Sequence, residues 1–274
     1  MNRTMITATN TLNQLQKQMD IVSNNMANID TTGFKRREAS FTDLLVQQFQ
    51  NQTDAASEAN RLTPNGIRQG VGAKTAQSKM VGTQGSLKTT GRPLDFAFTK
   101  EGQYFRVLEQ NETESAIRYT RDGAFYLSPI SEEENMLVTA KGNPVLDEEN
   151  NPIIFSEQVK SFTLSNKGQL TAELNDGETE AYNLGITLVK NPQFLEAKGD
   201  NLFAISEGAS EEVFMDLIDD LRSQASIEQN TLEQSNVELA KEMTELVNLQ
   251  RAYQFQSRSI SLADQMMGLV NGIR

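Results

Sequence analysis

Two short segments have the composition of a ligand site. Gly66-Ile67-Arg68-Gln69-Gly70-Val71-Gly72-Ala73-Lys74-Thr75 carries the glycines and the Lys-Thr pair of a phosphate-binding loop. Such a loop needs Gly directly before its Lys, with a strand ahead and a helix behind, so that backbone amides can cradle the phosphates. Here Ala73 precedes Lys74 and neither flanking element is legible, so nucleotide binding is not expected. Asp147-Glu148-Glu149-Asn150-Asn151-Pro152 offers the oxygen donors of a calcium loop. That loop demands Gly at its sixth position and Glu at its twelfth, and these are Pro152 and Gln158. A solvated acidic turn is the expectation.

Carboxylates are the main remaining reagents. The 274 residues include no Cys, no His and no Trp. The usual proton shuttle near neutral pH is therefore missing, as are thiol nucleophiles, zinc thiolate sites and iron–sulfur clusters. Asp95, set among Leu94, Phe96 and Phe98, is the one acid in an apolar context. A catalytic pair would need a second carboxylate across a cleft, and no partner is legible, so a strand-end acid bonding backbone amides is expected. Asp219-Asp220 reads as the solvent face of a helix. In Tyr119-Thr120-Arg121-Asp122-Gly123, Arg121 is available to pair an acid and Asp122-Gly123 suits a tight hairpin. No catalytic residue, metal ligand or cofactor is assigned.

The net charge is −12. It argues against nucleic acid, whose phosphates need clustered Lys and Arg, and against anionic lipid. The acids concentrate in 107–150, with ten against three bases, and in 207–233, with eight against one. No apolar run approaches the roughly 18 residues of a membrane span, and Met1–Thr7 shows no apolar core of a Sec-type signal.

The elements that would position these residues are helical at both ends and β between. Met5, Ala8, Leu12, Leu15, Met19, Val22, Met26 and Ile29 step 3-4-3-4-3-4-3 along the chain. That is an unbroken heptad seam on a helix of roughly 37 Å, ended before Gly33. Leu232, Leu239, Met243, Leu246, Tyr253, Ile260 and Met267 lie in one heptad register. The matching positions Asn236, Gln250, Ser257 and Asp264 are polar, and Leu249, Ala263 and Val270 form a second partial stripe. Residues 46–79 are polar and read as a linker or extended arm. From about Met80 to Ser206, alternating runs such as Tyr182-Leu184-Ile186-Leu188 are punctuated by Lys141-Gly142-Asn143-Pro144, Asn166-Lys167-Gly168 and Asn175-Asp176-Gly177, the mark of short hairpins. Val213, Phe214, Leu217, Ile218 and Leu221 predict one more helix near 211–223.

The fold class is therefore α+β: an all-β central body of short antiparallel strands, flanked by long N- and C-terminal helices that form a coiled coil. The expected divisions are 1–45 helical, 46–79 arm, 80–206 β domain, 207–230 acidic helix and connection, and 231–274 helical. An antiparallel hairpin within one monomer would satisfy both seams. Packing against other copies would also do so, since an isolated helix of this length is marginal.

Five ordered blocks carry a family resemblance over nearly the whole chain. Asn24-Asn25-Met26-Ala27-Asn28-Ile29-Asp30-Thr31-Thr32-Gly33-Phe34-Lys35-Arg36 resembles the N-terminal signature of bacterial flagellar rod and hook proteins. Ser235-Asn236-Val237-Glu238-Leu239-Ala240-Lys241-Glu242-Met243, with Leu249–Gln254 and Ala263–Met267, resembles their C-terminal signature. Arg92–Ala97, Tyr119–Phe125 and Leu137–Gly142 resemble the central blocks. Size, one β body and the polar stretch near 46–66 look like the distal-rod branch, with hook or hook–basal-body junction subunits as the alternative. A carboxylate enzyme using Asp95 and a soluble coiled-coil adaptor are the readings from other classes.

The resemblance implies a structural subunit exported unfolded, without a cleaved signal, through the flagellar type III apparatus. Its place would be the basal body outside the cytoplasmic membrane. Its partners would be copies of itself and other rod and hook subunits, with no nucleic acid and no membrane insertion. The terminal helices would order on incorporation into a tubular shaft that transmits torque. Leu12, Leu15, Met19, Val22 and Met26 would form one side of the assembly interface. Leu239, Met243, Leu246, Tyr253, Ile260 and Met267 would form the other, with Asn24, Asn28, Gly33 and Asn236 as turn or packing positions.

Overall fold

A computed structural model describes residues 2–43, 46–49, 67–70, 73–110, 115–131, 134–156, 159–206, 208 and 213–272. The chain divides into two units. One comprises Met1–Met26, Arg37–Lys79 and Leu239–Arg274; the other comprises Ala27–Arg36 and Met80–Glu238.

In the first unit, helix α1 spans Asn2–Ala27 and helix α2 spans Leu239–Gly272. The α1 seam follows the expected spacing: Ala8 and Val22 are buried, and Leu12, Leu15, Met19 and Met26 are half-buried. Gln18 Nε2 donates to Glu245 Oε1 at 2.8 Å, and Asn25 Nδ2 to Glu242 Oε2 at 3.2 Å. Position rises along α1 as it falls along α2, so the helices run antiparallel here. Helix α2 begins later than the expected boundary at 231, and Leu232, read as its first heptad position, lies in the strand Thr231–Glu233. The polar stretch is not wholly a linker. Val46–Phe49 pairs with Ile67–Gly70, and Arg37–Asp43 pairs with Ala73–Met80. Lys74 and Thr75 thus lie in a strand rather than at a helix start. The expected arm between 50 and 66 lies outside the described residues.

The second unit is the β body. Its largest sheet has six antiparallel strands in the order Leu195–Gly199, Leu202–Ile205, Ser115–Thr120, Gln103–Gln110, Ile186–Val189 and Phe214–Asp216. The strand Gln103–Gln110 is buried on both faces over its first half. Phe105 and Val107 join the main core with Phe96, Phe98, Phe125, Leu137, Ile153, Phe155, Leu170 and Leu184. Tyr104, pointing the other way, packs with Met80, Val189, Leu195 and Phe203. Phe98 and Phe105 stack with ring centres 4.2 Å apart, and Phe125 meets Phe105 edge-on at 5.1 Å, geometries that aromatic quadrupoles favour. Two three-stranded sheets complete the meander: Ile154–Ser156, Glu134–Thr139 and Phe125–Pro129, then Val159–Leu164, Gln169–Leu174 and Thr179–Asn183. The hairpins expected at 166–168 and 175–177 join the last three strands.

Two expectations for this unit are corrected. Asp122-Gly123 makes no hairpin, because Ser115–Thr120 and Phe125–Pro129 belong to different sheets. Gly123 is needed for close approach instead: a Cβ there would lie 1.8 Å from the Phe96 carbonyl oxygen. In place of the helix near 211–223, Phe214–Asp216 adds an edge strand beside Ile186–Val189 and Asp219–Gln224 forms a 3-10 turn. Asp219 sits at φ +49, which a right-handed helix cannot accommodate.

The body closes on strands from near the chain's end. Ile227–Gln229 pairs with Phe96–Phe98, and Thr231–Glu233 pairs with Leu87–Thr89.

Candidate assembly interface

In α1 the predicted interface residues turn inward together, whereas in α2 they divide. Leu246, Ile260 and Met267 are half-buried; Leu239, Met243 and Tyr253 are exposed. The fully buried side chains of α2 are Glu242, Leu249 and Ala263. A stripe that heptad counting missed is the most exposed. Phe255, Leu262, Met266 and Leu269, at steps of seven, four and three, are 68%, 60%, 52% and 69% exposed. Contiguous large apolar side chains in water mark a surface awaiting a partner.

The α1 end is held by Asn25. Its Oδ1 accepts from the Arg37 backbone N–H at 2.9 Å, and its Nδ2 donates to the Arg37 carbonyl at 2.9 Å and to Glu242. The side chain thus pairs with both backbone polar groups of Arg37. One amide serving both a strand and a helix leaves no periodic signal in the sequence.

In the β body, Gly33 and Asn236 lie beside a buried charge centre, and Asn28 closes a local turn with Thr31. Asn28 accepts from Thr31 through both its carbonyl and its side chain. Gly33 stands at φ +67, and a Cβ there would lie 2.6–2.7 Å from the backbone of Arg121 and Asp122. Its N–H donates to the Glu233 carbonyl at 2.8 Å. Asn236 Oδ1 accepts from the Arg36 N–H at 2.7 Å, and its Nδ2 donates to the carbonyls of Val81 and Thr83. Asn236 therefore stitches the segment after α1 to the segment before α2.

Glu233 lies at the middle. Its Oε1 accepts from Lys35 Nζ at 2.6 Å and from the Gly85 N–H at 2.8 Å, and its Oε2 accepts from Arg121 Nε at 2.6 Å. Arg121 also donates to the carbonyls of Gln103 and Lys100, and Lys35 to that of Thr83. All three charged side chains are essentially inaccessible. Burial pushes the Glu233 carboxyl up, but the Arg121 and Lys35 charges and their hydrogen bonds outweigh it, so its pKa lies below the ordinary value. Burial, then the Arg121 charge, brings the Lys35 ammonium below its ordinary value against the pull of Glu233. Such a centre is costly to assemble and costlier to break. The position of Arg121 before a turn hinted at an acid partner. That the acid is Glu233 was hidden by sequence distance.

Asp95 is buried beside the strand Phe96–Phe98, with Oδ2 accepting from Thr90 Oγ1 at 2.7 Å and Oδ1 3.1 Å from Arg92; its carboxylate is held by these side chains and not by the backbone amides expected for it. Asp147 Oδ1 accepts from the Glu149 and Asn151 N–H groups, which makes the predicted acidic turn. Asp219 and Asp220 face solvent. Among the described residues, no helix is long and apolar enough to cross a membrane.

Comparison with known proteins decides the family. Residues 5–35 match the family described as flagella basal body rod protein, residues 98–172 the flagellar hook protein FlgE/F/G D1 domain, and residues 228–273 the flagellar basal body rod FlgEFG protein C-terminal region. The chain is 42% identical to the flagellar hook-basal body complex protein FlhP of Bacillus subtilis, with 100% of both chains covered. It is 33% identical to the flagellar basal-body rod protein FlgG of Borreliella burgdorferi, over 100% of this chain and 99% of that one, and 33% identical to FlgG of Agrobacterium fabrum, over 98% of each. The chain belongs to the flagellar rod and hook family. The two end matches of this rod-family chain enclose both sides of the charge centre: Gly33 and Lys35 in one, Glu233 and Asn236 in the other. They also hold the α1 seam and nearly all of α2.

Proposed function

We propose that this chain is a structural subunit of the flagellar basal-body rod, in its distal part, and not an enzyme. It joins copies of itself and other rod and hook subunits through its terminal helices, which pair as a coiled coil. It reaches the basal body, outside the cytoplasmic membrane, through the flagellar type III export apparatus. The interface comprises Leu12, Leu15, Met19, Val22 and Met26 on α1 and Leu239, Met243, Leu246, Tyr253, Ile260 and Met267 on α2, and Asn28, Gly33 and Asn236 are its turn and packing positions.

The observation that carries this reading is the exposed stripe Phe255, Leu262, Met266 and Leu269, which a partner helix would cover in addition to the predicted set. Each such side chain contributes about 1 kcal/mol or more when buried, so four of them repay a useful part of the cost of ordering a helix end. Identity to a protein named for the hook–basal-body complex favours a position at the rod–hook junction as the second reading.

The test replaces Leu262 and Leu269 by Gln in the full chain, as the only copy in the cell. The expected outcome is loss of swimming and of assembled rods, with thermal unfolding of the purified β body unchanged. Normal rods and normal swimming would overturn the proposal.

A further inference from the structure

Residues 225–236 come late in the chain, yet much of the β body is fastened to them. Among the described residues, Ile227–Gln229 is the one strand that pairs with Phe96–Phe98, and Thr231–Glu233 the one that pairs with Leu87–Thr89. The backbone around these ladders continues the seam. Thr99 N–H donates to the Ser226 carbonyl, Thr90 N–H to that of Asn230, and Gln234 N–H to that of Ser86. Gln229 reaches a further sheet: its Oε1 accepts from the Leu164 N–H, and its Nε2 donates to the carbonyls of Pro93 and Phe162. Ala225 and Ile227 belong to the same core as Phe96, Phe98 and Phe105.

A body closing without this segment would lack something specific. Among the described residues, Lys35 and Arg121 ion-pair with no carboxylate but Glu233, and their side chains are 1% and 0% exposed. A chain that closed around them before Glu233 arrived would bury two cations without an anion, which is prohibitive. It would also leave Phe96–Phe98, buried throughout, without its ladder partner, and an empty space where Ile227 packs. The earlier residues therefore form no stable body by themselves.

We infer that residues 225–236 are a clasp that keeps the β body from folding until the chain is almost complete. Timing gives the clasp its use. At the usual rate of synthesis, residues 207–274 take roughly 3–14 s to make. A β domain folds in milliseconds to seconds, so the body would close within that interval if residues 80–206 sufficed. As the clasp leaves the ribosome, the residues after it still fill the exit tunnel, so closure waits for the end of synthesis. A subunit that must be threaded unfolded gains from holding no folded body before then. That use rests on the export reading; the clasp itself does not.

The test follows the natural chain through its own synthesis. The full-length message is translated in a synchronised cell-free reaction, and samples are treated briefly with protease. The expected result is a resistant β body that appears only with full-length chains, every incomplete chain being digested. A resistant fragment of the β body in chains ending before residue 225 would overturn the inference. Native-state hydrogen exchange of the purified full chain gives a second readout. The N–H groups of Ile227 and Thr231 bond the clasp to Asn166 and Asp95, and those of Leu137 and Leu184 bond elsewhere in the body. All four should exchange through one global opening, with protection within about tenfold of one another. Glu233→Gln should lower all four together, by about a hundredfold or more. Loss of protection at Ile227 and Thr231 alone, in either chain, means the body stays folded with the clasp open, and the inference fails. Neither readout involves rods. If both succeed while the Leu262 and Leu269 variant swims normally, the rod reading fails and the clasp stands.

Discussion

Replacing Glu233 by Gln is the sharpest perturbation of the β body. The glutamine keeps one acceptor oxygen and turns an amide donor toward a donor, either Lys35 Nζ or Arg121 Nε, each now 2.6 Å from a carboxylate oxygen. It also leaves two cations with no accessible surface facing each other without an anion. Removing one member of a buried ionic group costs about 3–5 kcal/mol. For a body of this size that corresponds to a fall in melting temperature of roughly 6–20 °C.

Lys35→Met is the control. It leaves Glu233 with Arg121 and the Gly85 N–H, and its cost should be roughly 1–3 kcal/mol. In the double variant Arg121 keeps the Gln103 and Lys100 carbonyls, so the loss should fall short of the sum of the singles by about 1 kcal/mol or more. Thermal and urea unfolding, followed by the β-sheet circular dichroism signal, measures all three. Acid titration adds a sign. The folded pKa of Glu233 is depressed, so its contribution is complete above the unfolded glutamate value and is lost as pH falls through the lower folded one. The wild type should show this loss and Glu233→Gln should not. A Glu233→Gln cost below about 1 kcal/mol, or a Lys35→Met cost exceeding it, would refute the assignment of Glu233 as the anion that holds Lys35 and Arg121 together.

Three further outcomes are expected. Burial, the largest influence on Tyr104, raises its pKa to about 12, so the folded protein holds this proton where the unfolded chain has released it. Stability should therefore fall as pH rises from about 10 toward 12, and Tyr104→Phe should flatten that alkaline limb in a pH series of melting temperatures. Gly33→Ala forces a left-handed alanine against the backbone of Arg121 and Asp122, and should cost about 3 kcal/mol or more by urea unfolding. Asp122 is raised above its ordinary value by burial, against hydrogen bonds from Thr32 and the Ala124 N–H. Its stabilisation is complete below the unfolded value and lost as pH rises through the folded one. Asp122→Asn, which retains the accepting Oδ1, should stay within about 1 kcal/mol of wild type at pH 7 and equal or exceed it in melting temperature.

What was legible in the sequence was periodic or local. The α1 seam, the turns at Asn166–Gly168 and Asn175–Gly177, the break at Gly33 and the alternation of the meander each leave a mark within a few residues. What was not legible depends on residues brought together from afar. Lys35, Arg121 and Glu233 meet across most of the chain, and no window contains two of them. The expected helix near 211–223 failed for a related reason. Short apolar runs such as Phe214-Met215 and Leu217-Ile218 fit a strand as well as a helix, and the choice was made by the open edge of Ile186–Val189, which Phe214–Asp216 completes. Arg222 then turns inward to the carbonyls of Gly168 and Leu184 and to Glu148 Oε2, where an amphipathic helix would have placed it in water.

Helix α2 shows how a correct period can still misplace a face. Leu239, Leu246, Tyr253, Ile260 and Met267 are spaced by sevens. A straight α-helix has 3.6 residues per turn, so each step of seven slips the side chain by about 20° around the axis. Over four heptads the slip reaches roughly 80°, enough to carry a position from one face to the next. The exposures follow that drift only in part: Leu239 and Tyr253 are exposed and Ile260 and Met267 half-buried, but Leu246, between the first two, is half-buried as well. The same slip lets Phe255, Leu262 and Leu269 form a second stripe of the same period on another side. A helix that supercoiled with a partner would cancel the drift and bring the sevens back into one line. The straight register and the supercoiled register therefore expose different residues. Cysteine accessibility at 239 and 267, compared between the free chain and the assembled rod, reads out which one the protein adopts. If α2 supercoils on assembly, both positions become protected together; if it stays straight, only the face that docks changes.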